Sequence, residues 1–243
     1  MLEREAEGAI GCRGGILADD MGLGKTFQTI GLLKNAPDSA LRTLIVCPPA
    51  LVAGWKEELT ACGFWVCCLV EGGGSWMPLP AAAKAVIWLT TYPKVALYRG
   101  RCCRAADGVA WGRVILDEGH VIRNGRNTSR FVACLAVAAH AVCRWILSAT
   151  PVQNSADDWR NLCIWLHAAR SVTAADIMLR RTMSELRGVI ALLPPVPRFV
   201  SHDLSIDPAS PEGRLFHALC NQLQSTIDSR SVSALIKLEL YMR

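Results

Sequence analysis

Gly14-Gly15-Ile16-Leu17-Ala18-Asp19-Asp20-Met21-Gly22-Leu23-Gly24-Lys25-Thr26 leaves a chain few ways to fold. Ile16 to Ala18 reads as the end of a buried strand, a turn carrying Gly22 and Gly24 follows, and Lys25, Thr26 and the apolar-periodic Phe27, Ile30 and Leu33 open a helix. Strand, glycine turn and helix in that order are the layout of a phosphate-binding loop. Gly22 and Gly24 let backbone N–H groups face inward, and the helix N-terminus adds the positive end of its dipole. Lys25 reaches terminal phosphates and the Thr26 hydroxyl suits magnesium. Asp19 stands where the generic loop pattern has glycine. Taken alone, the stretch also fits a plain glycine-rich turn before an ordinary helix.

A second segment narrows the choice. Trp111-Gly112-Arg113-Val114-Ile115-Leu116-Asp117-Glu118-Gly119-His120 is an apolar strand ending in two carboxylates. At the carboxyl end of a strand, Asp117 is placed to hold magnesium through water and Glu118 to polarise an attacking water. Such a pair is a surface feature in most proteins, but behind a Gly-Lys-Thr loop the two halves make an ATP site. Trp145 to Ser148 is a further strand, ending in Ser148-Ala149-Thr150-Pro151-Val152-Gln153-Asn154. Its small and hydroxyl residues, beside the strand of Asp117 and Glu118, suit hydrogen bonding to the carboxylates; the competing reading is a plain strand-to-loop turn.

The remaining pattern is that of an α/β chain. Thr43 to Cys47, Phe64 to Val70 and Ala85 to Thr91 read as strands, with Pro48-Pro49 stopping the first. Ala50 to Cys62 has Leu51, Trp55 and Leu59 at helical spacing, Tyr92 to Tyr98 is a short helix, and another begins near Thr128, capped by Asn127 or Thr128. Ala156 to Leu166 and Ala175 to Arg187 have helical spacing, the second displaying Arg180, Arg181 and Arg187 as a cluster that either touches phosphate or pairs with acidic neighbours. After Leu193-Pro194-Pro195-Val196-Pro197, Arg198 to Ile206 is strand-like and the stretch from Pro208 onward helical. Phe131 to Ala149 is almost wholly apolar, but His140 and Arg144 interrupt it, so it reads as helix, turn and buried strand, and no membrane span is expected.

The chain has 243 residues and a formal charge of +5, enough for a sizeable core and compatible with nucleic acid. Its 11 cysteines include no Cys-x-x-Cys, and the adjacent pairs Cys67-Cys68 and Cys102-Cys103 are poor geometry for one zinc. Reduced thiols and no structural metal are expected.

Taken in order, several segments carry a family resemblance. They are Gly14 to Thr26, Leu44 to Val52 with Trp55 and Glu58, Thr90-Thr91-Tyr92, Ile115 to His120 with Asn124, Trp145 to Asn154 and Leu179-Arg180-Arg181-Thr182. Together they resemble the first motor lobe of the SNF2-like ATPases, a branch of the superfamily 2 helicases, over roughly Gly14 to Pro195. The start at Arg4-Glu5 looks most like the Rad5 and lodestar-type branch.

The resemblance implies a RecA-like P-loop domain of α/β class, a mostly parallel sheet flanked by helices, at residues 1–170 with motifs I, Ia, Ib, II and III. Residues 171–243 would be a helical C-terminal extension that starts the connection to a second lobe. ATP and Mg2+ are the implied cofactors. By motif matching, Asp20, Met21, Gly22, Leu23, Gly24, Lys25 and Thr26 bind the nucleotide, and Lys25, Asp117 and Glu118 are catalytic. Thr26 and Asp117 hold the metal, and His120, Ser148, Ala149, Thr150 and Gln153 couple hydrolysis to movement.

Pro49 to Val52, Thr91 and the region of Asn154 match motifs that in the family face DNA or the lobe interface. The implied partners are double-stranded DNA, chromatin or other DNA-bound protein, and a second RecA-like lobe in trans or downstream, in the nucleus and away from membranes. The chain departs from the family in lacking an upstream adenine-reading glutamine, in Ser148-Ala149-Thr150 where Thr-Gly-Thr is common, and in Met183 where lysine is common. With no segment matching the second lobe, slow hydrolysis or none is expected. The alternatives are a non-hydrolysing nucleotide-binding module that docks on DNA or a partner motor, and, more distantly, a P-loop kinase or GTPase.

Overall fold

Alternation along the central strands sorts the core into two faces. In the strand Thr43–Cys47 (β2), Leu44 and Val46 join one buried cluster while Ile45 and Cys47 join the other. The strand Arg113–Asp117 (β5) divides in the same way, Val114 and Leu116 against Ile115, as does Cys143–Leu147 (β6), Ile146 against Trp145 and Leu147. All three strands are buried throughout, which is the signature of a parallel sheet covered by helices on both sides.

The computed structural model describes residues 1–7, 13–36, 42–69, 86–97, 111–123, 125, 128–153, 156–169, 171–186, 210, 214 and 218. The chain divides into two compact units, Met1–Leu193 and Pro194–Arg243. The described part of the first unit is a 7-stranded sheet in the order β3-β4-β2-β5-β6-β1-β7, every pairing parallel. The outstanding strands are Arg13–Leu17 (β1), Trp65–Cys68 (β3), Val86–Thr91 (β4) and Met178–Leu179 (β7).

Helices Lys25–Asn35 (α2) and Val52–Ala61 (α3) supply Ile30, Leu32, Leu33, Trp55 and Leu59 to one face. Tyr92–Leu97 (α4), Ser129–Val137 (α5) and Ala156–Leu166 (α6) supply Tyr92, Val95, Phe131, Val137, Leu162 and Trp165 to the other. The expected α/β class with a parallel sheet is what the chain forms, and strands β2 and β4 and helix α6 fall where the hydrophobic pattern puts them. Thr128 is the cap of α5, its hydroxyl accepting from Phe131 N–H at 3.2 Å.

Two differences have physical causes. The helix expected over Ala50 to Cys62 opens with a 3-10 turn, Pro49–Leu51, because the two prolines start the chain turning before the helical ladder begins. The helix expected over Ala175 to Arg187 does not exist as such. Thr173 and Asp176 form a capping box for a single turn, Ala174–Ile177 (α7), the chain then extends as β7 alongside Ile16 and Leu17, and Met183–Leu186 (α8) is another short turn. The open edge of β1 offers ladder partners that a helix cannot use: Ala18 N–H donates to Leu179 O at 2.7 Å and Asp20 N–H to Arg181 O at 3.1 Å.

The chain starts with a short helix, Leu2–Glu7 (α1). Val70, the interval 98–110, Asn124, Asn154, the Pro-rich break after 193 and the strand-like and helical stretches expected beyond it lie outside the described residues. Among the described residues no helix is long and apolar enough to cross a membrane.

Gly14 and Gly15 are in β1 because the neighbouring strand β6 and the turn α7 leave no room for a side chain. A Cβ on Gly14 would sit 1.9 Å from Arg144 O and one on Gly15 2.3 Å from Ile177 O.

The amino-terminal edge of the sheet is closed by a buried ion pair. Glu5, on α1, takes Arg113 Nε at 2.7 Å on Oε1 and Arg113 Nη2 on Oε2, while Trp145 Nε1 donates to Oε1 at 2.9 Å. Arg113 Nη1 also reaches Thr43 Oγ1 at 3.2 Å, so the ion pair ties α1 to β2, β5 and β6. Both side chains are almost fully buried, at 1% and 2% exposure, so removing one leaves an uncompensated charge. Glu5→Ala is expected to destabilise the protein by about 3–5 kcal/mol in equilibrium urea unfolding, and Glu5→Leu combined with Arg113→Met to recover most of that loss.

Candidate functional site

Because every strand runs the same way, the turns after β1, β5, β6 and β7 all emerge at the carboxyl edge of the sheet. β1 is separated from β5 by β6 alone, so the glycine turn, the carboxylate pair and Ser148 come together there.

The turn after β1 has the backbone its glycines imply. Gly22 and Gly24 have φ of 84° and 72°, and Gly24 ends the turn as the N-cap of α2. Lys25 Nζ donates to Asp19 O at 2.8 Å and to Asp20 O at 3.2 Å, folding back over the loop. These acceptors are neutral, and among the described residues Lys25 has no ion pair, so its charge is available to an anion. Left-handed glycines, a helix N-terminus and an uncommitted ammonium fit a polyphosphate. Asp20 N–H bonds back to the β7 side and Asp20 Oδ2 accepts from Met183 N–H at 2.9 Å, while Met21 is exposed.

Asp19, which takes the place of a loop glycine, is fully buried and has a structural task. Its Oδ1 accepts from Arg181 N–H at 2.9 Å and Arg181 Nε at 3.1 Å; its Oδ2 accepts from Arg181 Nη2 and from Gln28 Nε2 at 2.9 Å. Burial works to raise the Asp19 carboxyl, but the hydrogen bonds from Arg181 and Gln28 outweigh it and hold it below the usual carboxylate range. Arg181 is therefore committed to the loop, which decides one member of the basic cluster between phosphate contact and an acidic neighbour. Nothing in the local sequence pairs it with a residue 162 positions away.

Asp117 closes β5 on the face that carries α2 and α3. Its Oδ2 accepts from Trp55 Nε1 at 2.6 Å, its Oδ1 from Glu118 N–H at 3.0 Å, and its backbone carbonyl from Tyr92 O–H at 2.7 Å. Burial pushes its carboxyl up, and Glu118 adds to that; the Trp55 and Glu118 hydrogen bonds and nearby Lys25 oppose it without cancelling it. A buried carboxylate near a lysine and a glycine turn suits a hard divalent cation. Glu118 has φ 50°, a strained conformation for a residue with a side chain, and leads into a 3-10 turn, Gly119–Ile122.

His120 Nδ1 lies 3.1 Å from Glu118 Oε2 and 3.1 Å from Ser148 Oγ, so one ring nitrogen joins the carboxylate to the end of β6. Ser148 Oγ accepts from Thr150 N–H at 3.3 Å, and Ala149 is buried between them. Arg123 extends this chain: Nη1 donates to Thr150 O at 3.2 Å and Nη2 to Gln153 Oε1. Asn161 Nδ2 holds the Arg123 carbonyl at 2.7 Å, and Asp158 accepts from Gln153 N–H at 3.2 Å. The motif residues expected to act together are thus one hydrogen-bonded series, with Arg123, Asp158 and Asn161 as members that spacing did not reveal.

Pro49, Ala50 and Leu51 are exposed, as a surface turn requires, whereas Thr91 is buried and Asn154 lies outside the described residues. Cys67 and Cys68 lie in β3.

Residues 1–195 match the SNF2-related domain. The chain belongs to that family. A probable global transactivator of Orgyia pseudotsugata multicapsid polyhedrosis virus is 31% identical over 258 residues, covering 96% of this chain and 49% of that protein. DNA repair protein RAD5B of Arabidopsis thaliana is 33% identical over 192 residues, which is 64% of this chain and 15% of that one. The Sulfolobus solfataricus SWI2/SNF2 ATPase core in complex with dsDNA aligns with a TM-score of 0.64 at 27% identity, over 99% of this chain and 55% of that chain. The chain spans about half the length of the first of these relatives and of that structure. The SNF2-related chain has the fold of the first, RecA-like lobe of a superfamily 2 helicase-type ATPase, and relatives of its family include DNA repair proteins and a TATA-binding protein-associated factor, MOT1 of Saccharomyces cerevisiae.

Two outcomes follow from the buried charges. A carboxyl raised in the folded state favours the protonated form there, so Asp117 costs stability as pH rises above the ordinary value of about 3.9. Asp117→Asn is expected to raise the midpoint of thermal unfolding at pH 7, with the difference from wild type shrinking as pH falls toward 4. Arg181→Ala strips the buried Asp19 of its main partner and is expected to cost about 2 kcal/mol in urea unfolding, moderated by the half-exposure of Arg181.

Proposed function

We propose that this chain is the ATP-binding first lobe of an SNF2-type motor that moves along double-stranded DNA and remodels DNA-bound protein, completed by a second RecA-like lobe. The observation that carries this reading is the meeting at one sheet edge of Lys25, resting on neutral carbonyls, a buried Asp117 and the Glu118–His120–Ser148 series. The related Sulfolobus ATPase core is seen bound to dsDNA, and several relatives are DNA repair proteins, both of which favour DNA as the track.

In this reading the loop N–H groups from Gly22 to Thr26 receive the phosphates and Lys25 leaves the Asp19 and Asp20 carbonyls to meet the terminal ones. Thr26 and Asp117 hold the magnesium, which when bound supplies positive charge against the charge developing on the triphosphate. Glu118 orients the attacking water, and its bond to His120 fixes the carboxylate. Through Ser148, Thr150 and Arg123, a change at Glu118 reaches the loop containing Gln153. Residues beyond the lobe begin the link to the second one, and the nucleus is the compartment that fits the partners.

An arginine finger from a second lobe contributes on the order of 10³ to 10⁵ in rate in phosphoryl transfer. The chain is therefore expected to bind ATP with Mg2+ yet turn it over barely above background, with duplex DNA changing little until a second lobe is added in trans. Lys25→Ala should weaken ATP binding by about tenfold or more, the worth of a charge-assisted contact. A wild-type chain that fails to bind ATP in calorimetry overturns the reading, and rapid DNA-stimulated hydrolysis by the chain alone overturns the need for a second lobe.

A further inference from the structure

Trp55 has no part in the series just described, although its indole makes the shortest side-chain contact to Asp117. It sits on the first turns of α3, 3% exposed, among Leu17, Ile45, Cys47, Leu59 and Ile115. A tryptophan there would serve as a core aromatic whichever way its ring nitrogen pointed. What sets it apart is that Nε1 is aimed at Asp117 Oδ2 at 2.6 Å, a buried charge-assisted bond across 62 residues. Asp117 is the last residue of β5, on the same face as Ile115, so the pleat turns its carboxylate toward α3.

The remaining partners of the group make the role specific. Glu118 N–H occupies one site on Oδ1, and Tyr92 O–H pins the Asp117 carbonyl from the opposite face of the sheet. A carboxylate has about four lone-pair sites, so Trp55 and Glu118 fix its rotation and leave one free on each oxygen. Without the indole donor, Oδ2 would be buried against apolar neighbours and the carboxylate free to turn about its Cβ–Cγ bond.

We propose that Trp55 is a positioning residue for metal binding: its indole N–H holds the Asp117 carboxylate in the orientation in which Mg2+ is received. Trp55 touches neither nucleotide nor metal and acts through Asp117. The proposal rests on the reading of Asp117 as the magnesium-bearing carboxylate.

The test is the gain in affinity that magnesium brings. A fluorescent ATP analogue is titrated into the full chain in excess Mg2+ and in EDTA, for wild type, Trp55→Phe, Asp117→Asn and the double variant. Trp55→Phe keeps an aromatic ring and deletes only the donor and part of the ring system. It is expected to reduce the Mg2+-dependent gain about tenfold while leaving the affinity in EDTA within about twofold, and to have no further effect once Asp117 is asparagine. An unchanged gain, or an equal loss with and without Mg2+, overturns the proposal and makes Trp55 a packing residue. A wild type that binds the analogue with no Mg2+-dependent gain removes the reading of Asp117 as the magnesium-bearing carboxylate, and one that does not bind the analogue at all removes the nucleotide reading, results separate from either.

A measurement on the unaltered side chain decides the matter should Trp55→Phe fail to fold. In 15N-labelled wild type, the indole N–H resonance of Trp55 is expected to shift when Mg2+ joins bound nucleotide, and to stay in place for nucleotide in EDTA. A resonance indifferent to Mg2+ overturns the proposal.

Discussion

A sheet whose strands all run one way delivers every strand's carboxyl end to the same edge, and the chemistry of this chain depends on that constraint. The order β3-β4-β2-β5-β6-β1-β7 places β6 between the strand that ends in the glycine turn and the strand that ends in Asp117. Ser148, at the end of β6, is thereby fixed between the two halves, its N–H bonded to Leu17 O at 3.1 Å and its hydroxyl near His120. Helices on both faces bury the strands and exclude water from the base of the site. That burial is what pushes the Asp117 carboxyl up and makes its few hydrogen bonds count.

Buried charge is used differently at the two ends of the sheet. At the amino edge, Glu5 and Arg113 satisfy one another and Glu5 is further bonded by Trp145, a closed arrangement that fastens the first helix to the strands. At the carboxyl edge, Asp19 is closed in the same way by Arg181 and Gln28, but Asp117 and Lys25 are not paired with each other. Lys25 rests on carbonyls and Asp117 on neutral N–H donors, so among the described residues neither charge is cancelled locally. A stable fold would favour cancelling both. Leaving them open, together with the left-handed Glu118, is the kind of local cost that binding sites carry.

Asp19 shows how a departure from a generic pattern can be structural. A glycine there would leave Arg181 without its carboxylate, and the segment after β7 would hold the loop through backbone bonds, the Asp20–Met183 contact and Gln28. The segment Leu179 to Thr182 thus braces the glycine turn from the side, joining sequence-distant parts of one lobe.

The order of the motifs, the α/β class and the identity of the glycine turn, the carboxylate pair and the Ser148-Ala149-Thr150 segment were legible in the sequence. Each rests on local periodicity or on residue types at fixed short spacing, which a one-dimensional pattern preserves. The rest was decided by contacts between positions that are far apart in the chain. Nothing near Glu5 in the sequence pairs it with Arg113 or Trp145, which only the fold brings onto it. Arg181 stood open between phosphate and an acidic neighbour until the segment after β7 placed it over Asp19, and Trp55 showed only helical spacing until the pleat of β5 turned Asp117 toward it. The helix expected over Ala175 to Arg187 gave way to a strand because an open sheet edge supplies hydrogen bonds that helical spacing cannot anticipate. Sequence determined which groups the chain carries and in what local conformation; tertiary structure decided which of them are paired, because burial and hydrogen bonding are properties of neighbours in space.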